Sequence, residues 1–137
     1  MALETTLIHE LEPAIPFTCA DGTGIEKGAL LILTDPMTVA TTTGDTDEII
    51  GIAAEEKVAS DGRTKIPVYL RGVFRGFAGA AGCTAGLALI SDTGTGAANE
   101  LVVADVNSEA IVGIALETAA DTESFLFLLQ PINVNLA

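Results

Sequence analysis

After the first dozen residues, apolar positions come in short runs separated by Gly, Asp, Asn and Pro, and no 3.6-residue period is sustained. The pattern predicts an all-β chain. Predicted strands are Pro16–Cys19, Ala29–Thr34, Met37–Thr41, Glu48–Glu55, Lys65–Phe77, Leu87–Ser91, Leu101–Asp105, Ala110–Glu117 and Ser124–Gln130. Turn signals such as TDPM, TTTGDTD, SDGR, DTGTG and VNSE lie between them. Pro67 lacks the N–H that a ladder needs, so it is expected at a strand start or on an edge. The uncharged run Phe125–Gln130, FLFLLQ, is an aggregation hazard if bare and is expected to be central in a sheet or covered.

Sliding the chain against itself exposes a repeat. The segment from Gly28, ALLILTD, is answered by LALISD from Gly86, 58 positions on. EIIGIAAE is answered by AIVGIALE with Gly51 facing Gly113, 62 positions on, and PVYL from Pro67 by FLFL from Phe125, again at 58. Order is preserved and the changes of offset fall in turns, as expected for two copies of one strand unit, spanning about 28–77 and 86–132. At Gly51 and Gly113 a missing side chain permits a bulge or the close approach of another backbone.

The N-terminal stretch differs. Leu3, Leu7 and Leu11 repeat every four residues, while Thr5, Thr6 and Ile8 disfavour helix and Pro13 and Pro16 enforce extension. Residues 1–17 therefore read as an arm, either a short amphipathic helix or extended, ahead of one β domain over 18–137. An apolar arm of this kind docks on its own domain or on a partner.

Composition sharpens the picture. The 137 residues are 49% hydrophobic but only 4% aromatic and 18% charged, so thin layers of Ala, Val, Ile and Leu form the core and apolar surface is left over for a partner. Self-association is the first functional expectation. No apolar run approaches the roughly 18 residues of a membrane span, so no membrane partner is expected. A net charge of −13 excludes the nucleic-acid backbone as a main partner. Five of the six basic residues, Lys57, Arg63, Lys65, Arg71 and Arg75, fall in one stretch, a candidate interface patch for acidic surface.

Candidate chemistry is sparse. Asp92-Thr93-Gly94 has the form of an aspartic-protease turn, but the chain holds no second Asp-Thr-Gly to share a proton with it, and the types suit a tight turn. Asp45, Asp47 and Glu48 lack the glycine and distal Glu of an EF-hand loop. Gly94–Asn99 lacks the last glycine of a dinucleotide fingerprint. Cys19 and Cys83 have no CxxC spacing and read as small buried apolar residues, and His9, the single histidine, stands beside no nucleophile. No catalytic residue, cofactor or metal ligand is assigned.

The segments GIEKGALLIL, EIIGIAAE, KIPVYLRGVF, CTAGLALIS and AIVGIALE, spread over Phe17 to Ile132, resemble the capsid decoration or cement proteins of tailed viruses. The resemblance implies a compact β-barrel or β-tulip that forms a homotrimer on the outer surface of a capsid, made in the host cytoplasm. It further implies that the arm, through Leu3, Leu7, Ile8, Leu11, Ile15 and Phe17, contacts the major capsid protein. An oligomeric β-barrel binding a small ligand or polysaccharide is the alternative, with the Asp92 enzyme a remote third.

Overall fold

The computed structural model describes residues 4–42, 48–92, 99–104 and 110–133. Their elements are β1 (Thr6–Glu10), β2 (Ile15–Thr18), β3 (Leu30–Asp35), β4 (Thr38–Thr41), β5 (Ile49–Ala53), β6 (Lys65–Tyr69), β7 (Gly72–Ala78), β8 (Ala88–Ser91), β9 (Glu100–Val103), β10 (Ala110–Ala115) and β11 (Ser124–Asn133), and no helix occurs among them. The all-β expectation holds. Strands β2-β4-β3-β5-β6 close into one barrel. Strands β7-β11-β10-β8-β9 form the second, closed by a parallel β7–β9 pairing, and β1 lies along the free part of the β7 edge.

The two barrels are copies. Parallel Thr18↔Thr38 in the first answers parallel Phe77↔Glu100 in the second. Likewise Leu31↔Gly51 answers Leu89↔Gly113, and Ile52↔Tyr69 answers Ile114↔Leu128. Isolated bridges match too, Ile25↔Lys57 with Cys83↔Ala119. Left-handed backbone recurs at Gly28 and Gly86, Met37 and Asn99, Ser60 and Thr122. The repeat unit is thus β2–β6 followed by β7–β11: each copy starts earlier than in the sequence reading of about 28–77 and 86–132, and the first ends at Tyr69, with β7 passing to the second.

Two boundaries need correction. The predicted strand Lys65–Phe77 is two strands, broken at Leu70-Arg71, and its halves belong to different barrels. In addition, Ile66 rather than Pro67 answers Phe125, because Phe17↔Ile66 in the first barrel corresponds to Gly76↔Phe125 in the second. Pro67 is neither at a strand start nor on an edge. It stands third in β6, directly opposite Pro16 of β2.

Each barrel fills with alternate side chains. β7 turns Gly72, Phe74, Gly76 and Ala78 inward, and β11 turns Phe125, Phe127 and Leu129 inward. The three rings Phe74, Phe125 and Phe127 pack at centroid distances of 5.8–6.1 Å. Gly76 makes room for them, since a Cβ there would stand 2.8 Å from the Phe127 ring. The FLFL run is accordingly central, between β7 and β10.

The barrels join by wall against rim. Leu30, Ile49 and Ile52 on the outside of the first barrel share one buried cluster with Phe74, Val112 and Leu129 at the near end of the second, with Ile32 and Tyr69 alongside. The Leu30 N–H donates to Asn99 Oδ1 at 3.0 Å, a buried bond between the two barrels. The first barrel's own core is a separate cluster around Phe17, Leu31, Ile66 and Val68.

Gly51 and Gly113 sit where each ladder bulges, and a Cβ there would run into the carbonyl oxygens of Tyr69 and Leu128 respectively. Close backbone approach is thus the reason for these glycines. Replacing Gly113 by Ala is expected to destabilise the fold by about 1–3 kcal/mol or more. Gly22→Ala, where no atom lies within 4 Å of the added carbon, is expected to be near neutral. Thermal denaturation of the two variants checks the contrast.

Candidate interaction surface

The N-terminal segment is extended, not helical, and lies on its own domain. β1 pairs with β7 of the second barrel and β2 is built into the first, so Glu4 to Thr18 straps the two together. Its side chains divide accordingly. Phe17 is 4% exposed in the first barrel's core, so its side chain cannot reach a partner. Leu7 packs at the junction, while Ile8, Leu11 and Ile15 are exposed. Leu3 lies outside the described residues, as do Asp45, Asp47, Thr93 and Gly94.

The basic stretch does not form one patch. Lys57 is 1% exposed, and its ammonium donates to the Asp21 carbonyl at 2.7 Å, the Val58 carbonyl at 3.0 Å and Asp61 Oδ1 at 3.1 Å, with Asp21 Oδ1 at 3.4 Å. It closes a cage of two loops. In the repeat its counterpart is Ala119, so the buried cation belongs to the first barrel alone. Burial pulls the Lys57 ammonium down, but its hydrogen bonds to Asp61 and Asp21 outweigh this and leave it above the usual lysine range. Asp61 is held below the usual carboxylate range, first by the Arg63 N–H, against its own partial burial, and further by Lys57 and the Val58 N–H. The sequence signal was the pair of Asp-Gly steps, Asp21-Gly22 and Asp61-Gly62, which meet around one lysine.

The other four basic residues are at the surface. Arg63 pairs with Glu55 at 3.1 Å, Arg71 with Glu12 at 3.8 Å and Arg75 with Glu117 at 3.8 Å, and such exposed pairs contribute at most about 1 kcal/mol each. Arg63 and Lys65 line an open groove of about 460 Å³ whose other walls include Ala14, Pro16, Glu55 and Pro67. Here the N-terminal segment and part of the basic stretch come together. Arg71 and Arg75 lie elsewhere, beside β1 and β11.

The remaining candidates are structural in their surroundings. Cys19 and Cys83 are free and buried, and burial raises both thiols. Asp92 is half-buried against Gly79, its N–H donating to the Glu100 carbonyl at 3.0 Å. His9 is exposed on β1 opposite Val73. Among the described residues no group of three His, Cys, Asp or Glu side chains could hold a metal ion. Of the aromatic rings, Phe17, Phe74, Phe125 and Phe127 are interior, Tyr69 lies edge-on to Phe74 at 5.8 Å, and Phe77 is half-buried on β7.

A family model described as phage cement protein matches residues 8–130. The fold is also that of the crystal structure of the head fiber gp8.5 N base in bacteriophage phi29, at a TM-score of 0.58 and 15% identity, covering 89% of this chain and 98% of that one. No curated protein matches the sequence.

The caged ion pair makes stability pH-dependent. Because Asp61 is held low, its contribution is present above the usual carboxylate range and is lost as pH falls through the lowered value. Because Lys57 is held high, its contribution persists at neutral pH and is lost only above the usual lysine range. Lys57→Met is expected to lower the melting temperature by several degrees at pH 7 and to flatten its fall in acid. Melting curves of both proteins from pH 7 to 2 check this.

Proposed function

The chain belongs to the phage cement protein family, and we propose that within that capsid-associated structural role it forms a homotrimer that binds the major capsid protein on the outer surface of the shell. The observation that carries the capsid-facing assignment is the groove. A protein of net charge −13 places Arg63 and Lys65 together there, beside Ala14 and Pro16. Outside the groove, the same N-terminal segment exposes Ile8, on β1 against the second barrel, and Leu11, large apolar side chains 43% and 54% exposed. The basic pair suits an acidic ledge on a shell protein, and the exposed apolar side chains of β1 and of the turn after it offer a second, separate contact.

The work of such a protein is mechanical. It adds contact area across neighbouring capsomers and raises the cost of parting them under the pressure of packed DNA. Modest contacts, repeated by the three-fold symmetry of a trimer, combine into tight attachment. Synthesis in the host cytoplasm precedes attachment in this reading.

Removing the N-terminal segment would delete a strand of the first barrel, so surface substitutions are the appropriate probe. Arg63→Glu with Lys65→Glu, and separately Ile8→Ser with Leu11→Ser, are each expected to weaken binding about tenfold or more with the melting temperature unchanged. Co-sedimentation with capsids lacking the protein, at low and high salt, measures this. Full binding by the Arg63/Lys65 variant would overturn the groove assignment, full binding by the Ile8/Leu11 variant would overturn the apolar contact, and a monomer in light scattering at micromolar concentration would overturn the trimer.

A further inference from the structure

The duplication leaves one surface used and its copy unused. Within the chain, the wall of the first barrel, Leu30, Ile32, Ile49, Ile52 and Tyr69, is covered by the near end of the second. Registers that match strand for strand place Ala88, Ile90, Ile111, Ile114 and Leu128 at the same five positions on the second barrel. All five are apolar. Ile90 is buried at 9%, but among the described residues nothing covers the centre of this wall in the same way, since Ile114 is 38% exposed and Ala88, Ile111 and Leu128 are only half-buried. The neighbouring Leu116 and Ile132, at 48% and 52%, enlarge the apolar surface. An exterior barrel wall of this composition marks a contact surface.

The complementary surface is present as well. The rim that covers the first wall is built from Phe74, Val112 and Leu129, with Asn99 at its tip. By the same registers the first barrel carries Ile15, Ile50, Leu70 and Met37 at those positions. Ile15 is 37% exposed and Met37 54%, and Leu33 beside them on the β3–β4 hairpin is 47% exposed. Among the described residues, each chain therefore leaves a wall uncovered at its centre on one barrel and a rim exposed at Ile15 and Met37 on the other.

We propose that the first-barrel rim of one copy docks on the second-barrel wall of the next, head to tail, repeating between copies the junction that already holds the two barrels of one copy together. The inference rests on the self-association proposed above and assigns its faces. Head-to-tail contacts close into a ring when the rotation between copies allows it. In a trimer they would give a ring of six barrels, alternating first and second, in which every wall meets a rim.

The faces can be tested with the full chain by light scattering and sedimentation. Met37→Asp spoils the rim and Ile114→Asp spoils the wall, and both side chains are exposed, so each variant should fold with little change in melting temperature. Each alone is expected to be monomeric, its association weakened about a hundredfold or more. Ala81→Asp, exposed on the β7–β8 loop, should assemble like the wild type. Mixing the two monomeric variants is the decisive arm. The intact rim of the Ile114→Asp chain should bind the intact wall of the Met37→Asp chain and give a one-to-one dimer. No dimer in the mixture overturns the head-to-tail arrangement. A trimer that survives either single substitution overturns the choice of faces while leaving self-association standing, whereas a monomeric wild type overturns both.

Discussion

The structure depends on one desolvated contact, the outer wall of the first barrel pressed against the open end of the second. A barrel of five short strands with mostly aliphatic contents encloses little apolar volume, and one layer of side chains rarely suffices for a lone small domain. Here the problem is solved by sharing. Leu30, Ile49 and Ile52 point out of their own barrel yet are fully buried, because Phe74, Val112 and Leu129 receive them. The Leu30 N–H to Asn99 bond fixes the angle of approach where the apolar contacts alone would permit sliding. The strap of β1 and β2, in register with a strand of each barrel, then ties the joined pair from outside.

Much of this was legible in the residue pattern. The glycines that must be glycines, Gly51 and Gly113, announce the repeat because close backbone approach admits no other side chain, so both copies keep them. The first strand of each unit was illegible for the opposite reason. Ile15–Thr18 and Gly72–Ala78 share a position in the ladder but no side-chain pattern, since one faces a barrel filled by Phe17 and the other must leave space for three rings. The break inside Lys65–Phe77 was also hidden, because a two-residue joint, Leu70-Arg71, carries no cluster of turn residues before Gly72.

The basic stretch shows the limit of reading charge by proximity in sequence. Neighbours along the chain alternate between faces and pass from one barrel to the other, so Lys57, Arg63 and Arg75 end in three environments. Burial of Lys57 depends on two Asp-Gly loops forty residues apart meeting in space, a relation that local composition does not carry. The groove was half visible. Arg63 and Lys65 were marked by charge and Pro16 by extension, but their common location follows only from the pairing of β2 with β6.

Cys19 lies in the core of the first barrel and Cys83 in the apolar cluster of the second, neither bonded, both raised by burial. A thiol in this state reacts with a reagent only when its surroundings open, so its labelling rate is a clock for that opening. The molecule thus carries one such clock in each half. If the shared wall is what keeps the halves folded, both thiols become reachable in the same opening event, and the duplicated protein behaves as one cooperative body despite being assembled from two.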